Sequence, residues 1–129
     1  MSRVLIVEDD LIISRIYQGL MLKQGYQTMV AGDGERALEV MQETPPNLVL
    51  LDLMLPRKSG IEVLKVMRSD PVLQEVPVLV VSNACMGELL EEATQAGATR
   101  CLVKAQTPPK QLVEVVRHYL NPEPARAIG

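Results

Sequence analysis

Short apolar runs recur along this 129-residue chain roughly every 20 to 30 residues, and each gap between them can hold one helix. Three of the runs are apolar at all four positions, which is typical of strands buried on both faces of a sheet. The five runs are 4–7, 28–31, 48–51, 78–81 and 100–103. They predict a doubly wound α/β fold with a five-stranded parallel sheet between two layers of helices. We expect one domain over 1–121, followed by a flexible tail or the start of a linker over 122–129.

Capping residues predict where several helices begin. Asp10 and Asp33 precede the first and second helical patterns, and we expect their side chains to cap those helices. Thr107 is expected to cap the last helix, with Pro108 at its first position. The buried face of the first helix is predicted to carry Ile13, Ile16, Tyr17 and Leu20.

Composition and charge exclude several classes of function. Hydrophobic residues make up 47% of the chain and the net charge is -3, with no basic stripe and no Phe or Trp for stacking on bases. Direct nucleic-acid binding is therefore not expected. Neither a membrane span nor a signal peptide is recognisable, so we expect a cytoplasmic protein without membrane contact. The two cysteines have no zinc-site spacing and form no disulfide framework.

An acid ends the third apolar run, where open α/β sheets bind their ligands, beyond the carboxyl ends of the strands. Asp52 is preceded by four apolar residues and followed by three more. A buried acid in such surroundings is costly unless a partner compensates its charge. Taken alone, Asp52 is equally well explained as a turn residue.

Further acids after the first run favour a metal-dependent role for Asp52. If the first and third strands are neighbours, Glu8 or Asp9 approaches Asp52. Carboxylates about 4 Å apart repel by roughly 1–4 kcal/mol, and a divalent cation relieves that repulsion. Magnesium prefers oxygen ligands and keeps several waters. Asp9 is the better candidate ligand, since Asp10 is already explained as a helix cap.

A hydroxyl and a lysine end the fourth and fifth runs. Ser82 follows the fourth run and Lys104 the fifth. A phosphoryl group on Asp52 would bring three anionic oxygens, which a cation, a hydroxyl and an ammonium can each contact. Serine after a strand is usually a turn residue and lysine there is usually solvated. Only the combination with Asp52 points to phosphoryl chemistry.

Together these residues resemble the receiver domains of two-component signalling, over about residues 3–120. The strongest local matches are the segment 50–56, LLDLMLP, and the segment 4–10, VLIVEDD. Among receiver domains, the chain resembles the chemotaxis regulators. This resemblance implies a flavodoxin-like three-layer sandwich with strand order 2-1-3-4-5. It implies a signalling domain that contributes to its own phosphorylation and dephosphorylation, rather than an enzyme with a separate substrate.

The resemblance also implies a magnesium site. Asp9 and Asp52 would bind Mg2+ directly, Glu8 would bind it through water, and the backbone carbonyl of Met54 would supply another oxygen.

Phosphorylation and signalling roles follow from the same resemblance. Asp52 would accept a phosphoryl group from a sensor histidine kinase or a histidine phosphotransfer protein. Ser82 would be the switch hydroxyl, and Lys104 would pair with the phosphoryl group. The switched surface would bind a downstream effector protein or domain, and the chain would be a monomer or a weak dimer.

Three positions depart from the family pattern. Cys101 stands where an aromatic residue is usual; we expect it to be a small, half-buried strand residue, without a redox role. Ala105 replaces the proline that usually follows Lys104, so we predict a trans Lys104–Ala105 peptide. Asn83 stands where a small residue is common; its amide could narrow access to Asp52 or hydrogen-bond the phosphoryl oxygens.

Three other functions compete with a phosphoacceptor receiver. A flavin-binding domain would need a glycine-rich phosphate loop after the first strand, where this chain carries three acids. An acid-nucleophile phosphatase usually has a second acid two residues after the nucleophile, where this chain has Met54. A degenerate receiver that acts as a constitutive protein-binding module stays the main alternative, because of the three departures.

Overall fold

A computed structural model describes residues 2–121, so the predicted tail over 122–129 lies outside the described residues. Five strands alternate with five helices, in the order that the apolar runs predict. The strands are β1 (Arg3–Val7), β2 (Gln27–Ala31), β3 (Leu48–Leu51), β4 (Val78–Val81) and β5 (Arg100–Leu102). The helices are α1 (Leu11–Lys23), α2 (Gly34–Glu43), α3 (Gly60–Ser69), α4 (Gly87–Ala96) and α5 (Pro109–Leu120), with a 3₁₀ turn (Lys104–Gln106) before α5.

All strand pairs are parallel, and the sheet order is β2-β1-β3-β4-β5. The expected doubly wound fold and strand order are therefore confirmed. The chain passes from β1 outward to β2 and then returns to β3 on the other side of β1. This reversal opens a crevice between the carboxyl ends of β1 and β3, where such sheets bind ligands.

Two apolar layers hold the helices on the sheet because alternate strand residues face opposite sides. Leu5 and Val7 of β1 face α2, α3 and α4, while Val4 and Ile6 face α1 and α5. Every residue of β3 and β4 is buried, as the uninterrupted apolar runs predict. The edge strand β2 is more exposed.

Helix starts follow the predicted caps at two of three positions. Asp10 accepts hydrogen bonds from the backbone N–H groups of Ile12 and Ile13, and Asp33 accepts one from Arg36. The prediction for Thr107 is wrong: its hydroxyl donates to the Val103 carbonyl at 2.8 Å instead of capping α5. Helix α5 begins one residue later than expected, with a proline at its first position.

The predicted inner face of α1 is wrong at one position. Ile16 is 50% exposed, whereas Met21 is fully buried. Ser14 also faces inward, and its hydroxyl donates to the Leu11 carbonyl at 3.1 Å, so its burial leaves no unpaired donor.

Within residues 2–121, no helix combines the length and the apolar character that crossing a bilayer requires.

Candidate functional site

Three carboxylates converge at the crevice between β1 and β3. Val7 pairs with Leu51, so the next residues, Glu8 and Asp52, come side by side, and Asp52 N–H donates to the Val7 carbonyl at 3.1 Å. Glu8, Asp9 and Asp52 each place a carboxylate oxygen within 4.8 Å of the others. Glu8 is 4% exposed and Asp52 is 7% exposed, whereas Asp9 is open to solvent. Such a cluster of hard oxygen donors suits a magnesium ion.

Lys104 reaches into this cluster from the carboxyl end of β5. Its Nζ donates to Glu8 Oε1 at 2.6 Å and to Asp52 Oδ2 at 2.9 Å. Both are short, charge-assisted hydrogen bonds between an ammonium and a carboxylate. One ammonium faces three carboxylates, so the site keeps an excess of negative charge, which favours a cation.

The pKa shifts reflect a competition between burial and pairing. Burial raises the pKa of Glu8 above its usual 4.5, and the hydrogen bond from Lys104 only partly opposes this effect. Burial by itself would lower the pKa of Lys104, but its hydrogen bonds to Glu8 and Asp52 outweigh burial and raise that pKa above 10.5. Lys104 therefore stays charged at neutral pH and supplies a fixed positive charge beside Asp52.

The loop after β3 holds the Asp52 carboxylate in one orientation. Asp52 Oδ1 accepts a hydrogen bond from the Met54 N–H at 3.1 Å, while Oδ2 accepts from Lys104. Gly60 approaches this backbone so closely that an added Cβ would lie 2.5 Å from the Asp52 carbonyl oxygen. The Met54 side chain is 64% exposed and leaves the site, so only its backbone adjoins Asp52.

Ser82 lies at the end of β4 and is fully buried. Its N–H donates to the Leu102 carbonyl at 3.1 Å, and its hydroxyl oxygen accepts from Ala84 N–H at 3.2 Å. Within residues 2–121, its hydrogen-bond partners lie on β5, in its own loop and at the backbone of Lys104, and Asp52 is not among them. The hydroxyl oxygen accepts from Ala84 N–H, which leaves the hydroxyl proton free to donate to a further oxygen.

Asn83 and Ala105, the two departures from the family pattern nearest the site, are joined by a hydrogen bond. The Lys104–Ala105 peptide is trans, as predicted. Ala105 N–H donates to Asn83 Oδ1 at 2.7 Å, so Asn83 links the loop after β4 to the loop after β5. The sequence did not predict this link, because the family pattern has proline at this position and proline has no N–H to donate. Ala105 supplies the N–H that makes the bond possible.

Tyr17 lies on the inner face of α1, as predicted, but the sequence did not predict that it also borders the site. It lies on α1 and lines a narrow cleft beneath the acids, together with Glu8 and Asp52. Burial raises the pKa of the Tyr17 hydroxyl, and the Lys104 charge only partly offsets this. The side chain is therefore a neutral, largely apolar wall of the site at physiological pH.

Comparison with known proteins gives one consistent result. Residues 4–117 match the family model described as the response regulator receiver domain. The chain is 32% identical over 118 residues to the polar-differentiation response regulator DivK of Brucella anthropi, and the match covers 92% of this chain and 95% of that protein.

Two solved structures are similar across the whole fold. One is the Mn(2+)-bound form of response regulator Rcp1, with 26% identity, a TM-score of 0.82 and coverage of 96% of this chain and 97% of that one. The other is the phosphorylated cyanobacterial phytochrome response regulator RcpA, with 25% identity, a TM-score of 0.83 and coverage of 95% and 96%.

Proposed function

The chain belongs to the response regulator receiver domain family, and we propose that it accepts a phosphoryl group on Asp52 with the help of Mg2+. One observation carries the proposal: Glu8, Asp9 and Asp52 converge at one crevice, with the Lys104 ammonium bonded to two of them. Family membership alone would also admit a degenerate receiver. The complete set of acids and ammonium favours the phosphoacceptor.

Asp52 is the nucleophile in this proposal. One of its carboxylate oxygens attacks the phosphorus atom of a phosphohistidine, the P–N bond breaks, and an aspartyl phosphate forms. Hydrogen bonds from Met54 N–H and Lys104 hold the carboxylate in place, so little orientational freedom has to be lost before attack.

Asp9 and Asp52 would hold Mg2+ directly, Glu8 would hold it through a water, and the Met54 carbonyl would supply a further oxygen. The ion would supply positive charge to the phosphoryl oxygens during transfer. The exposed position of Asp9 and the surplus of negative charge both support this assignment. Rcp1, a protein of the same fold, has been solved with Mn(2+) bound.

Lys104 and Ser82 contact the phosphoryl group once it is in place. Lys104 exchanges its hydrogen bond to Asp52 for one to a phosphoryl oxygen, which costs little because both partners are anionic. Ser82 donates its hydroxyl proton to another phosphoryl oxygen. This new bond draws the loop after β4 toward Asp52 and shifts the population of loop conformations toward an effector-binding state.

Partners follow from the family. Receiver domains interact with histidine kinases or phosphotransfer proteins and with effectors. For this chain we propose a phosphohistidine donor upstream, an effector protein or domain downstream, and a monomeric or weakly dimeric state.

Incubation with acetyl phosphate and Mg2+ tests the proposal, with intact mass as the readout. Wild type should gain the mass of one phosphoryl group, and the gain should disappear when EDTA removes the metal. Asp52→Asn should gain nothing. Asp33→Asn is the matched control, since Asp33 follows β2 at the same edge of the sheet but caps α2. No gain in wild type would favour the constitutive binding module, and an equal gain in Asp52→Asn would mean that another residue carries the phosphoryl group. Either result would refute the proposal.

A further inference from the structure

The 3₁₀ turn that begins at Lys104 takes its cap from a neighbouring loop. Within the described part of the chain, the residue before the turn, Val103, makes no side-chain bond to it. The first N–H groups of a helical turn have no partner inside the turn and must find one elsewhere. Here the loop after β4 supplies both partners. Lys104 N–H donates to the Ser82 carbonyl, and Ala105 N–H donates to Asn83 Oδ1.

The bond to Asn83 is the stronger of these two anchors. Its N···O distance is 2.7 Å, whereas the distance from Lys104 N to the Ser82 carbonyl oxygen is 3.4 Å, beyond the usual range for such bonds. The backbone ladder between β4 and β5 therefore weakens where the strands end, and a side-chain amide adds one more short rung. Asn83 does for this turn what a capping residue does for its own helix, but from the adjacent loop.

Lys104 is held at both ends. Its ammonium bonds Glu8 Oε1 at 2.6 Å and Asp52 Oδ2 at 2.9 Å, while the bond to Asn83 fixes the turn at the base of the side chain. A lysine side chain is long and flexible, so the position of its ammonium is defined only when its backbone is. The ammonium has to exchange partners when a phosphoryl group arrives on Asp52. During that exchange, the backbone anchor is the one that remains.

We propose that Asn83 is a positioning residue for Lys104. By accepting from Ala105 N–H, it holds the turn in place, so that the Lys104 ammonium meets the phosphoryl group during transfer to Asp52. This arrangement needs both departures from the family pattern, because proline at position 105 has no N–H to donate and a small side chain at position 83 has no acceptor. The proposal rests on the proposed function, since it assigns Asn83 an effect on the rate of that transfer.

Obstruction of the site is the competing role for an amide at this position. Asn83 is exposed, and its amide oxygen is engaged by the loop after β5. If the side chain narrowed the approach to Asp52, shortening it would speed transfer. If it positions Lys104, removing its acceptor slows transfer whatever the size of the new side chain. The two roles therefore predict changes of opposite sign.

Labelling by acetyl phosphate with saturating Mg2+ tests the proposal in three variants. Asn83→Ala and Asn83→Leu both remove the acceptor, the second at nearly the same volume. Both should label about two- to tenfold more slowly, the loss that one neutral hydrogen bond accounts for. Asn83→Asp keeps an acceptor at the same reach and should stay near the wild-type rate in salt that screens its added charge. Gln106→Ala is the matched control, since it removes an exposed amide from the same turn and leaves the bond to Asn83 intact.

Two further readouts separate positioning from a general disturbance of the site. The proposed metal ligands Asp9 and Asp52 follow β1 and β3, outside the link between the other two loops. The Mg2+ concentration that half-saturates thermal stabilisation should therefore be the same in Asn83→Ala as in wild type. In nuclear magnetic resonance of the metal-free protein, the Lys104 ammonium protons should exchange with water faster in Asn83→Ala than in wild type or Gln106→Ala.

Unchanged or faster labelling of Asn83→Ala overturns the proposal, and so does an equal loss of rate in Gln106→Ala. A loss of Mg2+ binding in proportion to the loss of rate also overturns it, because the crevice itself would then be disturbed. If wild type takes up no phosphoryl group, the phosphoacceptor function fails. The exchange of the Lys104 ammonium protons still decides whether Asn83 positions that side chain, and an unchanged exchange rate in Asn83→Ala would show that it does not.

Discussion

Replacing Asp9 by asparagine should make the metal-free protein more stable and remove most of its stabilisation by Mg2+. Asp9 repels two neighbours, Glu8 and Asp52, whose oxygens lie within 4.8 Å. Two unit charges at that separation repel by about 0.9 kcal/mol in water and by about 3.5 kcal/mol at an effective dielectric constant near 20. Because Asp9 is exposed, the lower value applies to each of its two repulsions. The ammonium of Lys104, which is bonded to Glu8 and Asp52, attracts Asp9 and offsets part of their summed repulsion.

A gain of about 1 kcal/mol is therefore expected for Asp9→Asn in EDTA, which corresponds to a rise in Tm of about 4 °C for a domain of this size. Thermal unfolding followed by circular dichroism measures it. For wild type, Mg2+ at tenfold its dissociation constant should add about 1.4 kcal/mol, because only the folded state assembles the ligands. Asp9→Asn should gain far less from the same concentration.

Asp10→Asn is the matched control for this experiment. It removes one negative charge at the adjacent position, while asparagine keeps the cap to Ile12 and Ile13. This variant should retain the wild-type response to Mg2+. The reasoning is refuted if Asp9→Asn is less stable than wild type in EDTA, or if it responds to Mg2+ as strongly as Asp10→Asn does.

Three further predictions concern the surroundings of the site. Gly60→Ala places a Cβ against backbone atoms and should lower the free energy of unfolding, measured in urea, by about 1–3 kcal/mol. Gly19→Ala lies on the open side of α1 and should raise that free energy by about 0.5–1 kcal/mol. Because burial raises the pKa of Glu8, its ionisation opposes folding: wild type should lose stability as pH rises from 4.5 through that raised pKa, and Glu8→Gln should lack this loss. Asn83→Ala removes the acceptor for Ala105 N–H and should speed hydrogen exchange of that amide; an unchanged rate would mean that the link is not maintained in solution.

Most of the fold could be predicted because each strand is a short, largely apolar segment that alternates with a helical pattern. The five segments place all five strands to within one residue at each end, and three of the segments are apolar throughout. The inner face of α1 was harder to predict, since apolar residues occupy nearly every side of that helix. Leu11, Ile12 and Leu22 are exposed together with Ile16, so periodicity alone does not distinguish the buried side. Burial of Ser14 depends on a bond to its own helix, which hydropathy does not reveal.

The site could be predicted as a set of residues, but not as a set of contacts. Strand ends identify Asp52 and Lys104, because parallel strands deliver their carboxyl ends to one edge. The hydrogen bond between Lys104 and Glu8 depends on side-chain reach across the sheet, and the bond from Ala105 N–H to Asn83 depends on the paths of two loops. Neither has a periodic signal in the sequence.

Chemical trapping of the phosphorylated residue tests the central claim most directly. Borohydride reduces an aspartyl phosphate to an alcohol, which marks the modified position for peptide mapping by mass spectrometry. After treatment with acetyl phosphate and Mg2+, the account predicts one reduced residue, at position 52, and none when EDTA is present. Reduction at Asp9 or Asp33 instead, or an equal yield at position 52 without the metal, would contradict it.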